Sequence, residues 1–161
     1  MAWSPSSTVV TAVRPATARL AVPGDLATLV ALRDAALVEQ GALRGGSLYT
    51  TREARPFAEP GSPGRPLWVG MLADAVVGYL AGRTEDLRTT ERLGIVDAVY
   101  VDPQCRSVGV GEAMMASAVA WFESQGCIGV DAVALPGARA TKNFFEESGF
   151  TSRLLLMHHR L

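Results

Sequence analysis

At 161 residues, 48% of them hydrophobic and 19% charged, the chain has the length of one domain and enough apolar surface for a core without staples. A net charge of −1 argues against a general nucleic-acid binder, which needs surplus basic side chains to displace counterions from phosphates. Two cysteines are too few for a disulfide framework, no apolar run approaches the ~18 residues that cross a bilayer, and MAWSPSSTVV lacks the regions of a secretory signal. A cytoplasmic location and no membrane partner are expected.

Residues 1–8 read as a disordered polar tail and Val9 to Arg14 as a short strand. Pro23-Gly24-Asp25 offers an N-cap aspartate to a helix carrying Leu26, Leu29, Val30 and Leu37 at helical spacing, with Gly41 as its stop. Residues 45–66 hold glycines, prolines, serines and the arginines Arg52, Arg55 and Arg65 with little periodicity. They are expected to form a mobile, solvated loop with one helical turn near Thr50 to Arg55. Leu67 to Leu72 and Val76 to Ala81, split by Ala73-Asp74-Ala75, read as a hairpin, and Arg83 to Arg92 as a charged connection. A stronger strand, Leu93 to Val101, precedes a helix from Glu112 to Gln125 with Met115, Ala118, Val119 and Phe122 on one face. Ile128 to Leu135 is the next strand, Arg139 to Ser148 a helix with Gly149 as its C′ residue, and Arg153 to Arg160 a closing strand. A hairpin leading into a βαβ crossover predicts a mixed sheet with helices on both faces, in one domain over 1–161.

Between the stronger strand and its helix lies Asp102-Pro103 and then Arg106-Ser-Val-Gly-Val-Gly111. Backbone N–H groups at a helix N-terminus are unpaired and sit at the positive end of the helix dipole, so a glycine-bearing turn lets them converge on a phosphate. A pyrophosphate-bearing cofactor is the first expectation. A dinucleotide-binding G-x-G-x-x-G fails in detail: Met114 stands at its third glycine, and the loop comes late in the chain rather than after the first strand.

Val101-Asp-Pro103 followed by Arg106-x-x-Gly109-x-Gly111, with Asn143-Phe-Phe-Glu-Glu-Ser-Gly-Phe150 downstream, resembles the GNAT superfamily of acyl-CoA-dependent N-acyltransferases. The element order matches from Val9 onward. The resemblance implies an α/β fold: a mixed, mostly antiparallel sheet of about six strands with a splayed parallel pair, flanked by about four helices. It implies acetyl-CoA as co-substrate and no metal. The amides of Arg106, Ser107, Val108, Gly109, Val110 and Gly111 would hold the pyrophosphate, with Glu112 opening the helix. Val99, Tyr100 and Val101 would hold the pantetheine and polarise the acyl carbonyl, and Asn143 and Phe145 would complete the groove. A homodimer is implied by the same likeness.

The pattern departs from the family where chemistry is concerned. Phe145 stands where many members carry the tyrosine that protonates the departing thiolate, and Ala138 where an asparagine is customary. CoA thiolate is a tolerable leaving group, with an ordinary thiol pKa of about 8.5, so water or a hydroxyl such as Tyr100 or Ser107 can stand in. An acceptor amine, with a pKa of roughly 10.4, arrives protonated and needs a base. Asp97 is the one acid on its strand upstream of the turn, and alternation puts it on the face of Val99 and Val101, which makes it the candidate base. His158 and His159 point to opposite faces of a strand and cannot share a metal. Cys105 has no evident base partner. Two functions follow: acetyl transfer to a small-molecule or peptide amine in a ternary complex, or an acyl-CoA-binding regulatory module with weak or no catalysis.

Overall fold

The computed structural model describes residues 15–161, so the tail 1–8 and the strand read from Val9 to Arg14 lie outside the described residues. The first described strand is β1, Thr17–Leu20. A 3-10 turn, Pro23–Asp25, leads into helix α1, Leu26–Gly41, and a short helix α2, Gly46–Leu48, runs into a π turn over Tyr49–Glu53. Strands β2, Leu67–Leu72, β3, Ala75–Asp86, and β4, Arg92–Val101, follow, then helix α3, Val110–Ser124, strand β5, Cys127–Ala132, and helix α4, Arg139–Glu147. The five strands lie in chain order, antiparallel except for the parallel pair β4 and β5. Among the described residues no helix is long and apolar enough to cross a membrane.

Each face of the sheet has its own core, because residues of alternate parity point to opposite sides. On one side Trp68, Leu80 and Val96 meet Val110, Met114, Met115, Ala118 and Phe122 of α3, with Phe145 of α4. On the other, Leu67, Val69, Tyr79 and Tyr100 pack under Leu29 and Ala36 of α1. Helix α3 settles close because the strands beneath it carry glycines. A Cβ at Gly70 would fall 2.5 Å from Val110, and one at Gly94 2.6 Å from the Phe122 ring.

Several sequence expectations need correction. Strand β3 continues to Asp86, so the charged connection shrinks to a short turn held by the amide of Leu87 donating to Glu91 O. Asp25 does cap α1 by position, but its carboxylate accepts from Arg19 and from the Val22 amide rather than from the first helical turn. This pairing holds its pKa below the ordinary carboxylate range. The segment 45–66 is not featureless: Tyr49 is buried against the sheet and its hydroxyl donates to Asp97 O at 3.1 Å.

The closing strand from Arg153 to Arg160 is absent, and the sheet of the described residues has five strands where about six were expected for the whole chain. A strand persists only where a neighbour accepts and donates its ladder bonds, and the continuous run Leu154-Leu-Leu-Met157 has no such neighbour. Among the described residues Arg153, paired with Asp131 of β5, ties the segment to the sheet, and its leucines stay about four-fifths exposed.

Candidate active site

Strands β4 and β5 pair from Arg92 with Cys127 to Val96 with Ala132 and then part. Beyond Val96, β4 continues to Val101 with only β3 as a ladder partner, while the chain after Ala132 runs on through Val133 to Leu135 without a strand. The split opens a groove of about 550 Å³. Its walls are Val99, Tyr100 and Val101 on one side, Val133 to Leu135 on the other, with Asn143 and Phe144 of α4 across from Gly111 and Glu112 of α3.

The groove ends at the α3 N-terminus. Ser107 and Gly109 both take positive φ, 63° and 91°, so the turn coils its successive amides toward one side, as anion-binding nests do. The helix's backbone hydrogen bonds begin with the Ala113 amide donating to Gly109 O at 3.0 Å, and helix geometry leaves the amides before it without an intrahelical acceptor. Gly111 keeps the opening clear, since a Cβ there would fall 3.0 Å from the Phe144 ring. Arg106 fastens the turn in place. Its guanidinium makes a two-pronged pair with Glu39 of α1 at 3.0 and 2.7 Å, its Nε donates to Val101 O at 2.9 Å, and it lies 5.3 Å over the Tyr100 ring.

The expected site residues separate here. Val99, Tyr100, Val101, Arg106, Ser107, Gly111, Glu112 and Asn143 all border the groove. Val108 points outward, half exposed, and the Val110 side chain is in the core, so both could contribute only through their backbone. Phe145 does not border it: its ring is in the α3-side core, and the neighbouring Phe144 faces the groove instead. One residue along a helix turns a side chain by ~100°, so the neighbours Phe144 and Phe145 face different ways.

Asp97 is displaced from its expected face. Ala81 pairs with Ala98 and Gly82 with Val96, so Asp97 is the extra residue of a β-bulge. Alternation is broken there, and Asp97 lies with Ala98 on the α1 side while Val99 and Val101 pack toward α3. Its carboxylate borders a second, smaller cavity of about 30 Å³. It accepts from Arg83 at 2.9 Å, with Arg55 Nε at 4.0 Å. Burial pushes its pKa up, against the opposing pull of Arg83, Arg55 and Arg65.

Tyr49 and Gln40 border both cavities, which therefore meet along the middle of β4. Neither Tyr49 nor Glu39 sits in a recognisable motif, and the one local signal for the segment is the helical turn expected near Thr50. Burial raises the pKa of the Tyr49 and Tyr100 phenols, so both keep their protons. Among the described residues no cluster of three or more His, Cys, Asp or Glu is placed to hold a metal ion.

A family model described as Acetyltransferase (GNAT) family matches residues 32–150. No curated protein matches the sequence significantly. Among solved structures, the tetramutant of BH1408 protein from Bacillus halodurans superposes with a TM-score of 0.75 at 14% identity, over 89% of this chain and 99% of that one. Ribosomal-protein-alanine N-acetyltransferase from Brucella melitensis gives 0.67 at 15% identity, over 91% and 99%. The aminoglycoside acetyltransferase meta-AAC0020 from an uncultured soil metagenomic sample gives 0.63 at 14% identity, over 91% and 95%. At these identities the superpositions speak for the fold.

Proposed function

The chain belongs to the GNAT family of acetyltransferases, and from that membership we propose that it moves the acetyl group of acetyl-CoA onto a primary amine by direct attack in a ternary complex. The observation that carries this reading is the groove running unbroken from the α3 N-terminus to the split between β4 and β5. The donor set fits the co-substrate: unpaired amides suit a pyrophosphate, and the bare Gly111 opening admits it.

The co-substrate supplies an acyl group activated as a thioester. Backbone donors of Val99 to Val101 orient it and stabilise the charge that its carbonyl oxygen gains as the amine approaches. The amine nitrogen forms a bond to the acyl carbon, the carbon–sulfur bond breaks, and the sulfur leaves as thiolate. Asp97 accepts the proton shed by the amine, directly or through water, and its burial-raised pKa makes it a stronger base than an exposed carboxylate. Tyr100 donates a hydrogen bond toward the departing sulfur in place of the family's usual acid, and solvent completes its protonation. Because Phe145 is buried in the core, it takes no part.

Acetyl-CoA should raise the melting temperature, and NAD or ATP should not. Gly109→Val, which forces a branched side chain into φ +91°, should weaken acetyl-CoA binding by about ten- to a hundred-fold, the worth of one charge-assisted hydrogen bond. No shift with acetyl-CoA at any accessible concentration overturns the reading. Thiol release with a panel of amines then separates a transferase from a module that only binds.

The exposed leucines of 154–156 and the outer edge of β5, which has no ladder partner among the described residues, also support pairing with a second copy, whose tail would ladder onto that edge and reciprocally. Sedimentation should give a dimer that reverts to monomer when the chain is cut after Phe150; a monomeric full-length chain contradicts it.

A further inference from the structure

The smaller cavity beside Asp97 carries more positive charge than the chemistry above needs. Arg33 of α1 and Arg55 and Arg65 of the 45–66 segment line it, together with one carboxylate, that of Asp97. Asp97 is already matched by Arg83 of β3, which has Glu85 as its other neighbour at 3.6 Å. Among the described residues neither Arg33 nor Arg65 has a carboxylate within ion-pair distance, although Arg65 acts on Asp97 across the cavity. Arg33 instead lies over the Phe57 ring at 5.8 Å, and Arg65 donates to Pro56 O at 3.4 Å. These guanidiniums come from separate parts of the chain and converge beside the junction with the cofactor groove, which Tyr49 and Gln40 border.

Resting on the transferase reading, we propose that this cavity holds a carboxylate of the acceptor, so that the substrate is an amino acid, presenting its amine to Asp97 and its carboxylate to Arg55, Arg65 and Arg33. Three features support this. A guanidinium fork matches a carboxylate in geometry and charge. A volume of about 30 Å³ suits a group of carboxylate size rather than a sugar ring or a folded peptide. A polycationic acceptor such as a polyamine or an aminoglycoside would meet like charge at short range in a partly desolvated site. Arg55 and Arg65 are exposed at the cavity's edge, so an acidic side chain outside the cavity can pair with the guanidinium that the first carboxylate leaves over, which favours an acidic amino acid.

The test compares glutamate, glutamine, glycine, glycinamide, spermidine and an aminoglycoside in the acetyl-CoA thiol-release assay, alongside calorimetric binding of glutamate to the protein with CoA present. The preferred order is glutamate, then glutamine and glycine. Replacing the glycine carboxylate by its amide should lower kcat/KM by about ten- to a hundred-fold, the worth of a charge-assisted pair. In Arg55→Gln and Arg65→Gln, both at exposed positions, that ratio should shrink toward unity, and KM for glutamate should rise while the acetyl-CoA melting shift persists. Spermidine or the aminoglycoside outperforming every amino acid, or an undiminished ratio in both variants, overturns the proposal and leaves the transferase reading standing. Arginine-dependent glutamate binding with no acetyl transfer overturns the transferase reading and leaves the carboxylate site.

Discussion

Asp97→Asn is expected to lower kcat by about 10²–10⁴-fold, the range a positioned general base supplies, while acetyl-CoA affinity stays as in the parent. The residue lies outside the cofactor groove, on a bulge whose extra residue turns the carboxylate toward the α1 side and the smaller cavity. Its side chain is 15% exposed, enough for contact with a bound amine or an intervening water. Removing the charge leaves Arg83 with Glu85, so the fold survives. A base also sets the pH profile. Burial raises the Asp97 pKa above the ordinary carboxylate value, so the parent rate should fall on the acid side as this group takes a proton. In Asp97→Asn that acid limb should vanish along with most of the rate. A residue that merely positions Arg83 would lower the rate and leave the limb in place; an unchanged kcat removes Asp97 from the mechanism.

Phe122→Ala should cost about 3–5 kcal/mol of stability, against a total of roughly 5–15 for a domain of this kind. The ring is fully buried and packs edge-on against Trp68 and Trp121. Beneath it lies Gly94, where the absent Cβ lets the ring approach the strand, and Gly82 contributes the same on β3. Losing the ring leaves a cavity that neither glycine can fill, at the level of the sheet where β4 still pairs with β5. Chemical denaturation should show the midpoint moving down with its slope unchanged. A loss below about 1 kcal/mol would mean that α3 resettles on the sheet.

Much of this architecture was legible in the residues because it rests on local rules. The hairpin from Leu67, the turn before α3, and Gly126 and Gly149 past two helix ends, both at positive φ, follow from periodicity and turn chemistry. What the residues did not disclose depends on neighbours far along the chain. The bulge at Asp97 comes from register against β3, and no alternation pattern reveals one inserted residue. Phe144 and Phe145 differ by one helical step, and only the position of α3 decides which is buried. The convergence of Arg33, Arg55 and Arg65 joins a helix and an irregular segment, which composition alone reads as solvated charge. The leucines after Arg153 carry strand propensity, yet the sheet offers them no ladder within the described chain.

Direct transfer is tested most plainly by following the acetyl group itself. With acetyl-CoA isotopically labelled in the acetyl group and a mixture of amino acids, polyamines, aminoglycosides and short peptides, mass spectrometry reads both acceptor and protein. Label appearing on an acceptor nitrogen in step with CoA release, on protein that stays unlabelled, is the predicted result. Label accumulating on the protein without acceptor, for instance on Cys105 where it borders the groove, would contradict it, as would CoA release with no acetylated amine.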